Sequence, residues 1–314
     1  MPRIISKNWL YLLLTFFIAF SITLVSARII HVIIAEQTQE DSSKTETSDY
    51  QSTNVDTKPD NPTSNVNPEP AFLNLQSVVD DWLKTVNGEA GIMIYDLDHS
   101  HIAAEYNANK TFYAASLYKL FFVYDGYSQI EKGSENPDEF FVFSYDKGNL
   151  TYAACLDLMI RESYNPCADP MRADPAKYAR VETFIHQYNL SGTTEAGLQT
   201  TATDMVELLK IYYRHTDLSD TSWQAILDSM LNQPPTTYDW RQGLPSGFTT
   251  AKVYDKVGWY AQDNRWTTYN DVAIIDFTED NRHYAIAILT SNINPEDIAR
   301  FGKALEASVL NNSK

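Results

Sequence analysis

A serine hydroxyl needs a base beside it to become a nucleophile, and Ser116-Leu117-Tyr118-Lys119 supplies an amine three residues on. Residues at i and i+3 share a helix face, so the Lys119 amine reaches the Ser116 hydroxyl if this segment opens a helix. The residues that follow, Leu120-Phe121-Phe122-Val123-Tyr124, are apolar nearly all round, as in a helix buried within a lobe. Burial lowers a lysine pKa toward that of a usable base, and a helix N-terminus favours the negative charge developing on the oxygen. The spacing alone decides little. Ser144-Tyr145-Asp146-Lys147 repeats it but runs straight into Gly148-Asn149, where no buried helix forms.

Company in the right order gives the first serine its weight. Ser163-Tyr164-Asn165 follows a helical stretch from Cys155 to Glu162 and precedes a proline, so it can turn a hydroxyl and an amide into one cleft. Lys256-Val257-Gly258 lies on an expected strand. A strand beside the nucleophile can pair with an extended substrate, and Gly258 lets that backbone approach. The amide of Trp259 then joins that of Ser116 as an oxyanion hole. Rival chemistries are thin. No G-x-S-x-G elbow is present, and the H-x-H of His99 and His101 falls in a short turn without a third ligand at metal spacing. Neither a metal nor a cofactor is expected.

The elements that must position these residues are legible in outline. Leu75, Val78, Val79, Trp82 and Val86 recur at helical spacing, and strands follow near 91–95 and 102–106. Helical periodicity dominates from about 111 to 232. Strands return at 250–257, 272–277 and 284–289, the last two joined at Thr278-Glu279-Asp280-Asn281. Asn294-Pro295 opens a final helix carrying Ile298, Phe301, Leu305 and Val309. Strands at both ends with helices between imply an α+β fold, an antiparallel sheet formed by both termini with an inserted all-helical lobe. The sheet lobe takes about 71–110 and 245–314, and the helical lobe about 111–244.

Ahead of this domain the composition changes twice. Residues Trp9 to Val25 are almost unbroken hydrophobics after Arg3 and Lys7, so 1–35 is a signal peptide or an N-terminal membrane anchor. A polar stretch over 36–70 cannot bury enough surface to fold and reads as a disordered stalk. The expectation is a single-pass anchor at the cell membrane with an extracellular catalytic domain, or secretion if the segment is cut. The chain of 314 residues carries 24 basic and 41 acidic side chains, for a net charge of −17, which argues against nucleic acid as a partner. A monomer is expected. Cys155 and Cys167 flank the S-Y-N turn, and whether they pair depends on a separation that spacing does not give.

Taken in order, S-x-x-K, S-x-N and K-x-G on helix, loop and strand resemble the penicillin-recognising serine hydrolases, most of all class A β-lactamases. Ala114-Ala115-Ser116, Thr200-Thr201-Ala202 and Arg241-Gln242-Gly243-Leu244-Pro245-Ser246-Gly247-Phe248 fall where that family has counterparts, and the likeness covers about 71–311. The resemblance implies a β-lactamase/transpeptidase-like fold and an acyl-enzyme mechanism. Its substrate would be a small-molecule β-lactam or, alternatively, a peptidoglycan stem peptide; a catalytically weak wall-binding module is the remaining reading. It implies Ser116 as nucleophile, Lys119 as its base and Ser163 as proton shuttle. Asn165 would hold a substrate amide and Lys256 would face the substrate carboxylate. The sequence departs from that pattern in places. The loop before Thr200 is short, and its one acid, Glu195, is the candidate deacylation acid but lacks the asparagine companion of the family's glutamate, so slow deacylation is expected. Val257 replaces a hydroxyl residue and Tyr164 an aspartate. Asp271 sits near a usual arginine, for which Arg265 is the candidate substitute.

Overall fold

The computed structural model describes residues 73–312 except 216, 234–241, 264 and 280. The expected anchor and stalk, and Arg241, lie outside the described residues. Among those described, no helix is long and apolar enough to cross a membrane.

The chain opens with α1 (Gln76–Leu83), β1 (Glu89–Asp96), β2 (His101–Tyr106) and β3 (Phe112–Tyr113). A 3₁₀ turn, Ala115–Tyr118, leads into α2 (Lys119–Glu131). A hairpin of β4 (Phe140–Ser144) and β5 (Gly148–Thr151) precedes α3 (Tyr152–Arg161), α4 (Asn165–Ala173) and α5 (Pro175–Gln187). Then come β6 (Gln199–Thr200), α6 (Ala202–Tyr213), α7 (Asp220–Leu231) and the short α8 (Leu244–Gly247). Strands β7 (Lys252–Gln262), β8 (Arg265–Phe277) and β9 (Arg282–Ser291) and helix α9 (Pro295–Asn311) complete it.

Both ends of the domain build one antiparallel sheet in the order β2-β1-β9-β8-β7. Its strands β1, β8 and β9 are buried on both faces over most of their length, and the period of two divides their side chains between two cores. Along β9, Ala285, Ala287 and Leu289 join the core shared with the helical lobe. Tyr284, Ile286 and Ile288 join a second core under α1 and α9. Helix α9 lays Ile298, Phe301, Leu305 and Val309 onto that second face, each buried side chain contributing about 1.5–3 kcal/mol. Glu306 on α9 clasps the entry to β7, accepting from the backbone and hydroxyl donors of Thr249 and Thr250 at 2.7–3.0 Å.

The same alternation aims β7 at the cleft. Val253, Val257 and Trp259 belong to the core under α9, so Lys256 and Gly258 face the helical lobe. The helical lobe also carries strand pairing that periodicity did not resolve. The β4–β5 hairpin stands on it, and β3 pairs with β6 through Phe112–Thr200 and Tyr113–Gln199. That second pairing ties the short loop to the chain entering Ser116.

Candidate active site

Ser116 sits in the 3₁₀ turn and Lys119 begins the α-helix. The sequence points to an α-helix opening at Ser116; the tighter turn serves better, because side chains at i and i+3 eclipse in a 3₁₀ helix. Lys119 is fully buried, and its Nζ lies 3.0 Å from Ser116 Oγ, 2.7 Å from the Ser163 carbonyl, 3.2 Å from Ser163 Oγ and 2.6 Å from Asn165 Oδ1. An ammonium has three protons for four oxygens, whereas a neutral amine donates two and accepts one. Burial, joined by the nearby Lys256 charge and partly offset by Asp169, lowers the Lys119 pKa to about 6. Near neutral pH the amine is therefore largely free to accept the Ser116 proton.

Lys256 reaches the Ser163 hydroxyl from β7. Its Nζ donates to Ser163 Oγ at 3.0 Å and to the Val257 carbonyl at 2.6 Å. Burial lowers its pKa to about 7, against the opposing charges of Asp255 and Asp271. Ser163 thus bridges two buried amines.

Three non-glycine residues around this centre hold left-handed backbone: Ala115 (φ 48°), Ser163 (φ 53°) and Leu198 (φ 45°). Each costs of order 1–3 kcal/mol, which the surrounding contacts must offset. Leu198 accepts from the Ala114 amide at 2.7 Å, and Asn270 donates to the Tyr113 and Ala114 carbonyls at 2.8 and 3.3 Å. Cys155 and Cys167 form a disulfide that joins α3 to α4 across the S-Y-N loop, with Cα atoms 5.2 Å apart. Above the loop, the Tyr164 hydroxyl meets Ser144 and Asp146 of the β4–β5 hairpin, and Lys147 lies 5.4 Å from its ring centre.

A side chain at Gly258 would meet the Ala114 carbonyl at 2.4 Å and Leu117 Cγ at 2.9 Å. The missing Cβ makes room for the 3₁₀ turn that carries Ser116. Val257 is buried in the core under α9, where a hydroxyl would gain nothing. The Trp259 ring packs edge-on against Trp266 at 5.3 Å on the same side as Val257. Arg265 does not stand in for an arginine beside Lys256. It pairs with Gln262 at the far end of the hairpin, whereas Lys256 pairs with Val272, seven residues and roughly 23 Å along β8. Asp271 is buried and accepts from the Leu244 amide at 2.7 Å, securing the start of α8. Glu195 is 1% exposed, and burial raises its pKa to about 7, with Arg172 opposing the shift and Glu182 adding to it. Arg172 Nε lies 3.5 Å from Glu195 Oε2 and Arg172 also donates to the Glu195 carbonyl at 2.9 Å.

Asn270 is the site residue that sequence reasoning passed over; an asparagine amid the β-branched run of β8 was the available signal. The Thr200-Thr201-Ala202 segment has a structural account. Thr201 caps α6 through the Asp204 amide, and Thr193 links Thr200 to the Asp204 carboxylate at 2.9 and 2.8 Å. Among the described residues no group of histidine, cysteine, aspartate and glutamate is arranged to hold a metal. His99 instead pairs with Asp96 at 3.0 Å.

A sheet completed by both termini, a helical lobe and this cleft between them define a β-lactamase-like hydrolase. The chain belongs to the β-lactamase enzyme family, which matches residues 74–308. Among curated proteins no sequence matches significantly. Solved structures of similar fold include a β-lactamase from Chitinophaga pinensis DSM 2588, 19% identical, with a TM-score of 0.64 over 74% of this chain and 98% of that one. The TLA-1 extended-spectrum β-lactamase is likewise 19% identical, with a TM-score of 0.65 over 75% of this chain and 98% of its own. An ancestral class A β-lactamase is 17% identical, with a TM-score of 0.64 over 75% of this chain and all of its own.

Proposed function

We propose that this protein is an extracytoplasmic serine hydrolase that attacks β-lactams through an acyl-enzyme on Ser116. The observation that carries the reading is the Lys119 amine, buried, held 3.0 Å from Ser116 Oγ and depressed to a pKa of about 6. Lys119 takes the Ser116 proton as Oγ attacks the substrate carbonyl. The proton passes to Ser163, 3.2 Å away, and from there to the leaving nitrogen. Lys256 fixes the Ser163 hydroxyl at 3.0 Å and supplies positive charge for the substrate carboxylate. Asn165 orients the substrate amide, and the Ser116 and Trp259 amides serve the oxyanion. An export route, by anchor or by cleaved signal, agrees with the disulfide, since such bonds persist in oxidising compartments.

A second reading, hydrolysis of peptidoglycan stem peptides, draws support from Glu195, which is engaged by Arg172 in the manner of a structural acid. Without fast deacylation a β-lactam acts as a trap, not a substrate. A fluorescent penicillin separates the cases. The wild-type protein should take a covalent label that Ser116→Ala abolishes, and no label at all would sink the acyl-enzyme reading. Label lost within seconds together with ring opening supports the β-lactamase, and label held for hours supports the peptidase.

A further inference from the structure

The second S-x-x-K of the sequence, Ser144-Tyr145-Asp146-Lys147, takes no part in the acylation scheme above. It forms the tip of the β4–β5 hairpin, where Ser144 pairs with Gly148. The base of the hairpin is tied to the start of α3. The Tyr152 amide donates to the Glu139 carbonyl and the Ala153 amide to that of Pro137, both at 3.0 Å, and the Phe141 ring packs edge-on against Tyr152 at 5.3 Å. Five residues of β4 reach roughly 17 Å, and ten residues of α3 about 15 Å. A hairpin laid along α3 therefore brings its tip to the far end of that helix, where Ser163 follows.

Three residues of that tip grip both neighbours of Ser163. Lys147 Nζ lies 2.7 Å from Glu162 Oε2, and the two side chains are only 27% and 26% exposed, so the pair is better shielded than an ordinary surface ion pair. On the other flank the hydroxyls of Tyr164 and Ser144 both donate to the Asp146 carboxylate and touch each other, while Lys147 lies 5.4 Å from the centre of the Tyr164 ring. Hydrogen bonds to a carboxylate are about twice as strong as neutral ones. An aspartate at 164, as in the class A pattern, would face Asp146 with a like charge; tyrosine supplies a donor instead. Ser163, between the two grips, holds left-handed backbone at φ 53°, which a serine keeps only where its surroundings impose it. Asn165 is held separately, because the Cys155–Cys167 disulfide pins the first turn of α4 to α3.

We propose that Tyr164 is a positioning residue: anchored on Asp146 and Ser144 of the hairpin, it holds the Ser163 hydroxyl where its proton reaches the leaving nitrogen. The inference rests on the acyl-enzyme reading above. In that step the carbon–nitrogen bond of the tetrahedral adduct breaks and the nitrogen takes the Ser163 proton. Ser163 Oγ in turn takes the proton that Lys119 accepted from Ser116.

Stopped-flow labelling with a fluorescent penicillin over a range of concentrations separates the first-order acylation constant from the dissociation constant of the complex that precedes it. Tyr164→Phe, which keeps the ring and its contact with Lys147, and Asp146→Ala should each lower the acylation constant at least about tenfold, part of the roughly hundredfold that a misplacement of about 1 Å costs. The dissociation constant should stay within twofold, since Asn165 and Lys256 remain. The double variant should be no slower than the slower single one, because both changes remove the same contact. Asp146→Asn keeps an acceptor for the Tyr164 hydroxyl and should restore most of the rate lost in Asp146→Ala. The proposal is overturned by an acylation constant in Tyr164→Phe within twofold of wild type, by losses that multiply in the double variant, or by a dissociation constant that weakens as much as the rate falls. If wild type takes no label, the acyl-enzyme reading fails by itself, and the hold on Ser163 is judged by crystal structures of wild type and Tyr164→Phe. Ser163 Oγ must then move off Lys256 Nζ by about 1 Å or more; an unmoved Ser163 refutes the anchor.

Discussion

Replacing Gly258 by alanine should slow acylation far more than it unfolds the protein. The new Cβ would sit 2.4 Å from the Ala114 carbonyl oxygen, 2.9 Å from Leu117 Cγ and 3.1 Å from the Leu117 amide. Ordinary contact begins near 3.4 Å, so the overlap with a backbone oxygen is about 1 Å. A backbone carbonyl cannot swing aside as a side-chain tip can. The turn is also held from behind by Asn270 and from the side by Leu198, so relief must come from sliding it against β7. Overpacking of this kind costs about 1–3 kcal/mol, and misplacing a reacting group by 1 Å costs on the order of a hundredfold in rate. The expected outcome is acylation about 100-fold slower, with the melting temperature lowered by roughly 2–12 °C. Stopped-flow labelling with a fluorescent penicillin reads the first quantity and thermal unfolding the second. A rate within twofold of wild type would show that β7 does not set the position of Ser116, and the packing argument would be wrong.

Three further outcomes follow from the same geometry. Acylation should have a narrow bell-shaped pH profile, rising through about pH 6 as Lys119 loses its proton and falling above about pH 7 as Lys256 loses its charge; an optimum above pH 9 would contradict both assignments. The pair Cys155→Ala and Cys167→Ala should lose about 3 kcal/mol of stability and roughly 6–12 °C in melting temperature, read by calorimetry, with unchanged unfolding counting against the staple. Glu306→Gln should cost about 1–2 kcal/mol at pH 7 by denaturant titration. Although burial pushes the Glu306 carboxyl up, its four donors from Thr249 and Thr250 outweigh that and hold its pKa below the usual value. The stabilisation is therefore present above the unfolded carboxylate pKa of about 4.3 and is lost as pH falls through the lower folded value. Wild type and variant should converge in acid, and a gap that widens there would refute the assignment.

The parts of this fold that repeat locally were legible in the residues. The i, i+3 spacing of Ser116 and Lys119 and the strand that carries Lys256 depend on single elements, whose periods are fixed by backbone geometry. The split of the sheet between the two chain ends also followed from where strand patterns stop and resume. What escaped was set by tertiary neighbours. Gly258 could be read as an opening for substrate because nothing local says that the Ala114–Leu117 turn fills the space. Arg265 looked close to Lys256 in sequence, yet hairpin register carries it to the far end of β8. The β4–β5 hairpin lay hidden in a stretch where flanking helical patterns dominate, and Glu195 gave no sign that it would be buried beside Arg172.

The single hydroxyl shared by two buried amines has a thermodynamic consequence. At pH 7 a lysine with a pKa of about 7 is neutral in about half of the molecules, so the empty cleft is short of positive charge where an anionic ligand needs it. A ligand carboxylate favours the charged form of Lys256, and by linkage its arrival must draw protons from solution. Complex formation near neutral pH is then a reaction of three participants: protein, ligand and about half a proton. The heat measured for binding would shift with the ionisation enthalpy of the buffer, and apparent affinity for anionic ligands would tighten as the medium becomes more acidic down to about pH 6.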